Sequence, residues 1–446
     1  MMRSMKTWIL ALTVVGAALT VQTPVRTQSA GTILAPDNVP GLDKPVRVIL
    51  GRFTSDVTLT NDVYWVLRGA VFIANATDIS IQPGTRIVGE FATLGTLVIE
   101  QGGRIIANGT ADAPIVFTSD QPIGSRGRGD WGGLIINGRA PINLPGGTGL
   151  GEGDTGQYGG TFADDNSGTL RYVRVEYAGI EFSPDNELNG IAFQGVGRGT
   201  TVDYVQVKYN KDDGVEFFGG TVDAKHLVLS ANGDDSMDWT FGWQGRVQYV
   251  VINQRADDAD NGFEGDNSGN NNDLLPRANP TVYNATLLGD PFTNFGNESD
   301  DGMEIREGTA GTFRNFIVQG FKEYGLDVSN TATIAEANAG RLTFGNGIFF
   351  NNAVLPDHDQ LDSDATDIPS IAGNPTLSFG QNPGLVDPHN HFEPNFRPRD
   401  TSALGMTLAP ALPPNDGFFE VALFIGALSS DPAQDWTQGW TDFSGF

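Results

Sequence analysis

The sequence predicts an all-β chain: a right-handed parallel β-helix, that is, a solenoid with loop excursions and a C-terminal cap. Three observations predict it. One short phrase recurs along residues 188–350 at the spacing of solenoid rungs. Each copy alternates apolar and outward positions, as a strand with one buried face does. No helical periodicity of useful length appears after the first 30 residues.

The phrase reads Asn189-Gly190-Ile191-Ala192-Phe193, then Asp213-Gly214-Val215-Glu216-Phe217. Later copies are marked by Ser236, Gly262, Gly302, Gly325 and Gly347, so the steps from Gly190 are 24, 22, 26, 40, 23 and 22 residues. The position after each mark is always apolar: Ile191, Val215, Met237, Phe263, Met303, Leu326 and Ile348. These seven are expected to stack as one interior column. Two residues further on, Phe193, Phe217, Trp239, Ile305, Val328 and Phe350 are apolar too, with Gly265 the exception. The residue between should point outward. It reads Ala192, Glu216, Asp238, Glu264, Glu304, Asp327 and Phe349, a carboxylate in five consecutive copies.

Taken in order, residues 1–30 have the layout of a secretory signal peptide. Arg3 and Lys6 precede the apolar run 8–19, and the small residues Ser29 and Ala30 follow. The run falls short of the roughly 20 residues that a membrane span needs, and no later stretch is apolar enough to span. Residues 31–45 are expected to be a flexible segment, 46–354 the β-helix, and 355–446 an irregular C-terminal region and cap. Within the β-helix, short apolar runs such as Leu97-Val98-Ile99 and Ile115-Val116-Phe117 end in Gly turns. The Gly-rich stretch 146–160 lacks the Gly-Lys-Ser/Thr ending of a phosphate loop and reads as an excursion. The 40-residue step holds the polar loop Asp266–Asp273. The aromatic-rich tail 417–446 is the expected cover for the open end of the solenoid.

Composition narrows the function. The chain has 27 Lys+Arg against 54 Asp+Glu, a net charge of −27, so it lacks the basic footprint of a nucleic-acid binder. An anionic membrane surface would repel it. With no Cys there are no disulfides, no Cys-ligated zinc and no thiol catalysis. The expected setting is secreted, periplasmic or outer-surface.

Several stretches resemble a large family of exported bacterial β-helix-type proteins without an established activity. They are Leu97 to Ile105, Gly129-Asp130-Trp131-Gly132-Gly133-Leu134-Ile135-Ile136-Asn137-Gly138, Asp212 to Gly220, and Asp435-Trp436-Thr437-Gln438-Gly439-Trp440. The resemblance spans nearly all of the expected mature chain. Family members often carry a lipid-bearing Cys or a sorting domain, and this sequence shows neither. The resemblance implies the fold and assigns no catalytic residue.

The acidic windows 212–216, 234–238, 260–264, 300–304 and 323–327 hold 13 carboxylates in 25 residues and no Lys or Arg. Stacked rungs bring such groups to about 5 Å, where each like-charge contact costs roughly 1 kcal/mol even in water. Bound cations, a basic ligand, raised pKa values, or Lys208, Lys211 and Arg306 nearby would offset the repulsion. A hard cation suits the row, since Ca2+ takes six to eight oxygens. Its expected ligands are Asp213, Glu216, Asp235, Asp238, Glu264, Asp301, Glu304 and Asp327. Two other readings stay open. Asp213, Asn261 and Asp301 precede Gly and serve turns, and the in-strand carboxylates form a solvated face. Alternatively, paired carboxylates cleave polysaccharide as a glycoside hydrolase would; a lyase would need a base that the windows do not offer. His389 and His391 with Asp387 make a weak metal pattern, better read as surface histidines. The function expected is therefore a non-enzymatic exported protein that binds a polysaccharide or cell-surface component, with polysaccharide cleavage as the alternative.

Overall fold

The computed structural model describes residues 28–38, 42–183, 186–294, 296–356, 358–399 and 408–445; the signal-peptide expectation falls almost wholly outside them. One continuous sheet joins 24 strands, and every pairing in it is parallel except the first. This is the parallel β-helix that the repeat predicts.

Each rung contributes to three faces. The first face is a ladder of short strands in strict register: the end of Tyr64–Ile73, then Thr96–Ile99, Gly133–Asn137, Ile191–Gln194, Val215–Phe218, Met237–Thr240, Phe263–Gly265, Met303–Ile305 and Asp327–Val328. From Gly168 onward, the other two faces are shared by long strands, Gly168–Glu176 through Leu342–Phe350, each bent in the middle. The bend is one residue with left-handed backbone: Tyr172, Tyr204, His226, Tyr249, Asn284, Asn315 and Asn346, with φ between 49° and 63°. That conformation is costly for bulky residues and tolerated by Asn. Stacking offsets it in the aromatic rungs: ring centroids lie 4.4 Å apart for Tyr172–Tyr204, 4.1 Å for Tyr204–His226 and 4.9 Å for His226–Tyr249.

Inside, the expected column is present and longer than the repeat suggests. Val71, Leu97, Leu134, Ile191, Val215, Met237, Phe263 and Met303 are register partners, rung to rung, and almost wholly buried. Leu326 continues it, one residue before Asp327, which pairs with Glu304. Ile348 does not belong. Its strand pairs with Gly311–Gln319, placing Ile348 beside Ile317 in a satellite cluster outside the barrel. Asn346-Gly347 mimics the phrase but is the bend of a long strand. The Gly265 exception also has a cause: a Cβ there would sit 2.1 Å from the Trp239 ring, which fills the interior for both rungs.

The ends are closed differently from expectation. At the start, Thr32–Ile33, in the segment expected to be flexible, pairs antiparallel with Leu50 and Ile49 and covers the first edge. At the far end, Ala365, Ile368, Ile371 and Leu377 pack into the main core. The tail expected as a cap instead runs back along the flank. Ala411 bonds Asn315, Glu420 bonds Gln248, Gly426 bonds Asn315 and Asn284, and Asp442 bonds Gln206. It covers the satellite cluster of Val251, Leu288, Ile317 and Ile348 with Ile425, Ala427 and Leu428. The tail lies there because these long strands present apolar residues on their outer side. The Gly-rich stretch is an excursion, with Gly149–Gly151 pairing back on Gly156–Tyr158. The 40-residue step holds two insertions, one on each side of Thr281–Leu288. The first folds around buried Asn267, whose Oδ1 accepts from Ala278 N at 2.8 Å. Among the described residues no helix is long and apolar enough to cross a membrane.

Candidate functional site

The site grows from the outward column of the first face. Its register runs Phe72, Val98, Ile135, Ala192, Glu216, Asp238, Glu264, Glu304, Asp327. The column is apolar up to Ala192 and acidic from Glu216 on. The solvated-face reading fails at its first two carboxylates: Glu216 is 9% exposed and Asp238 7%, whereas Glu264, Glu304 and Asp327 are half-buried. The excursion supplies part of the cover, since Leu144, Leu150, Glu152 and Tyr158 line one cleft together with Glu216, Asp238 and Phe241. A second, adjoining cleft of about 390 Å3 is lined by Glu152, Glu187, Asp212, Asp213, Glu216, Asp234, Asp235, Asp238, Asp260 and Glu264, with Arg306 its one cation.

Floor and rim differ. On the floor, Asp213, Glu216, Asp235 and Asp238 are all at least nine-tenths buried. Two of these also tie rungs together: Asp213 Oδ1 accepts from Asp235 N at 3.1 Å, and Asp235 Oδ1 from Asn261 N at 2.7 Å. The turn role is expected of Asp213, Asn261 and Asp301; the bonds that Asp213 and Asp235 accept run instead to the backbone of the next rung. On the rim, Glu152, Asp212, Asp234 and Asp260 are half-buried. Three groups of carboxylates have oxygens mutually within 4.8 Å: Asp213–Glu216–Asp238, Asp212–Asp213–Asp234 and Asp234–Asp235–Asp260. In the first group Asn189 Nδ2 donates to Glu216 Oε2 at 2.6 Å. Asp238 Oδ1 and Asn189 Oδ1 are buried without a hydrogen-bond partner.

Burial, then the neighbouring carboxylates, push these groups up. Asp238 rises to about 7, Asp212 to about 8 and Asp234 to about 6. Asp213, Glu216 and Asp235 rise well above the usual carboxylate range for the same reasons. Glu152 reaches about 7 through burial and Glu187. Such a set ionises fully only beside a positive charge.

The C-terminal half of the row has that charge built in. Arg306 reaches Glu264 at 2.7 Å, Asp266 at 3.0 Å and Glu304 at 2.8 Å. Burial works to lower the Arg306 pKa, but these three carboxylates outweigh it and hold the guanidinium above its ordinary value. The other two cations named from sequence do not serve the floor. Lys211 pairs with Asp258 at 3.0 Å, and Lys208 is buried on the other side with Asp442 at 2.9 Å.

The eight residues expected as ligands thus divide. Asp213, Glu216 and Asp238 converge. Asp235 joins Asp234 and Asp260. Glu264 and Glu304 are held by Arg306. Asp301 accepts from Tyr324 N at 2.7 Å, and Asp327 from Ser329 Oγ at 2.9 Å, each apart from the groups above. Sequence reasoning missed Glu152, Glu187 and Asp266. The first two lie outside the repeated windows and carry no periodic signal; Asp266 follows Glu264 by two residues, the strand spacing that would have found it. The His389–His391–Asp387 pattern is absent from the groups able to hold a metal among the described residues. Instead His389 bonds Gln319 at 3.1 Å, with burial lowering its pKa to about 4, and His391 faces Asp290 at 3.4 Å.

Residues 51–374 match the model of a family described as pectate-lyase like beta helix domain. No curated protein and no solved structure matches the chain.

Proposed function

The chain belongs to the pectate-lyase-like beta helix domain family, and from that premise we propose that its acidic cleft binds a polysaccharide, with a hard divalent cation as counter-charge, and does not cleave it. The observation that carries the reading is the Asp213–Glu216–Asp238 group. Three carboxylates, each at least nine-tenths buried, converge within 4.8 Å, and Asp238 Oδ1 has no partner. Three like charges buried together cost several kcal/mol per ion unless protonated, as their raised pKa values allow, or bound to a metal, which would let all three ionise. Ca2+ fits the donor set, since it accepts carboxylates of either denticity and completes six to eight oxygens with carbonyls and water. With this group holding the cation, Asn189 would orient Glu216, and the rim would meet the sugar.

Two points weigh against cleavage. Arg306 is the cation within the cleft, and three carboxylates keep it protonated, so it is unsuited to the proton abstraction of an elimination. Carboxyl oxygens this close do not leave the roughly 6.5–9.5 Å that an inverting pair needs for its water, so this point bears on inverting cleavage alone. The setting we propose is outside the cytoplasm, on the pattern of residues 3–30.

Calorimetric titration of the metal-stripped protein with CaCl2 tests the cation, and a polysaccharide panel with and without Ca2+ tests the partner. Saturable Ca2+ binding lost in Asp238→Asn is expected, with polysaccharide retention and no new reducing ends or unsaturated products. Release of such products would establish the cleaving alternative. Ca2+ heats no different from NaCl dilution would remove the cation site.

A further inference from the structure

We infer that the polysaccharide is a cationic amino-sugar polymer and not a uronate. This rests on the polysaccharide reading above. Two adjoining clefts share Glu152, Glu216 and Asp238 and together make one trough. Its rim carries Glu152, Asp212, Asp234 and Asp260, and none of these four forms an ion pair among the described residues. Asp212, Asp234 and Asp260 come from successive windows, so the rim offers carboxylates repeated along the axis, one for each rung at about 4.8 Å. A linear polymer with a positive charge on each unit matches such a row; a polyanion does not. The Arg306 guanidinium is already shared by three carboxylates and is not free to receive a uronate.

A polyamine would also match the charge. The second cleft argues for a sugar ring. One of its walls is apolar: Phe241 half-buried, Leu144 beside it and Leu150 largely exposed, backed by Tyr158 and Phe218. The Phe241 ring leans on Phe218 with centroids 6.2 Å apart, which holds it at the cleft. Glu152, Asp238 and Asp266 line the same cleft. Apolar side chains and acceptor oxygens in one cleft suit a pyranose ring bearing donors, above all an ammonium group. The deep cation at Asp213–Glu216–Asp238 and the ammonium groups at the rim use different carboxylates, so both are accommodated.

The test is calorimetry on the Ca2+-loaded full chain with four probes: oligoglucosamine, its N-acetylated form, oligogalacturonate and oligolysine. Oligoglucosamine should bind at least about tenfold more tightly than the N-acetylated form, and should weaken with added NaCl. Phe241→Ala should cost about tenfold, as loss of one stacking contact does, and Asp212→Asn with Asp234→Asn a similar factor, each measured well below the variant's own melting temperature. Should Phe241→Ala not fold, Leu150→Ser on the exposed wall gives the same readout. Tighter binding of oligogalacturonate overturns the inference and leaves the polysaccharide reading intact. Equal binding of the acetylated form removes the ammonium, and oligolysine binding as tightly as oligoglucosamine removes the sugar ring. If none of the probes binds, the inference falls, and the wider polysaccharide panel decides the reading it rests on.

Discussion

Two stretches of one column, Phe72 to Ala192 and Glu216 to Asp327, share a backbone, a register and an interior, yet face opposite environments. In the first stretch the outward residues Phe72, Val98, Ile135 and Ala192 build a second small core with Ile142, Tyr158, Leu188 and Phe218. In the second, the same positions are carboxylates, buried at Glu216 and Asp238 and half-buried at Glu264, Glu304 and Asp327. Behind both, the interior column is apolar without a break. The comparison shows that the rung specifies backbone and interior, and that the outward position is free to serve either cohesion or charge. The change happens within one step, between Ala192 and Glu216, which are direct partners.

The sharpest way to break the contrast is to move a charge across it. Ile135→Glu places a lone carboxylate in the apolar stretch and should cost about 3–5 kcal/mol, the range for an uncompensated buried charge, read as the urea midpoint of unfolding. Arg306→Gln removes the counter-charge of the acidic stretch. It should cost about 3 kcal/mol at pH 8, with part of the loss recovered at pH 5, where Asp266, which burial raises to about 6, binds a proton. A loss independent of pH would show that Arg306 acts through packing.

Next comes the cation itself. Binding only to the folded state, Ca2+ at a hundred times its Kd should add about 2.7 kcal/mol, seen as a melting-temperature rise absent in NaCl of matched ionic strength. Glu216→Gln with Asp238→Asn should abolish that rise while leaving the metal-free protein as stable or more so. A fourth expectation concerns pH. Burial and like charges place the folded pKa of Asp238 near 7 and of Asp212 and Asp301 near 8, above the ordinary 3.8. The folded state therefore holds more protons, and this contribution to stability, complete below about pH 4, is lost as pH rises through 7 to 8. The metal-free melting temperature should fall across that window, and Ca2+ should flatten the fall. The smallest effect belongs to Asp327→Asn, at the end of the row and half-buried, which should stay within about 0.5 kcal/mol.

Much of this was legible beforehand because period and alternation are local. The interior residues, the Gly-rich excursion and the acidic row could be read directly. Ile348 misled because Asn-Gly suits both a turn before a strand and a left-handed bend inside one. The burial of Glu216 and Asp238 was not legible, since the groups beside and above them, Leu150, Glu152 and Tyr158, come from an aperiodic loop. Nor was the course of the tail, because Ile425 and Leu428 signal only that something apolar must be covered, not which surface does it.

That tail has a mechanical consequence. A solenoid alone couples only neighbouring rungs, so a load on one end could detach rungs singly. Here the chain doubles back from Asn346, bonded to Ala409, past Asn315, Asn284 and Gln248 to Gln206 and Lys208. Tension applied at the C-terminus therefore meets the tail near Lys208 first, far from the final rung. Its attachments would yield one at a time, as a zipper does, and the rungs beneath would feel the full pull only after the last had opened.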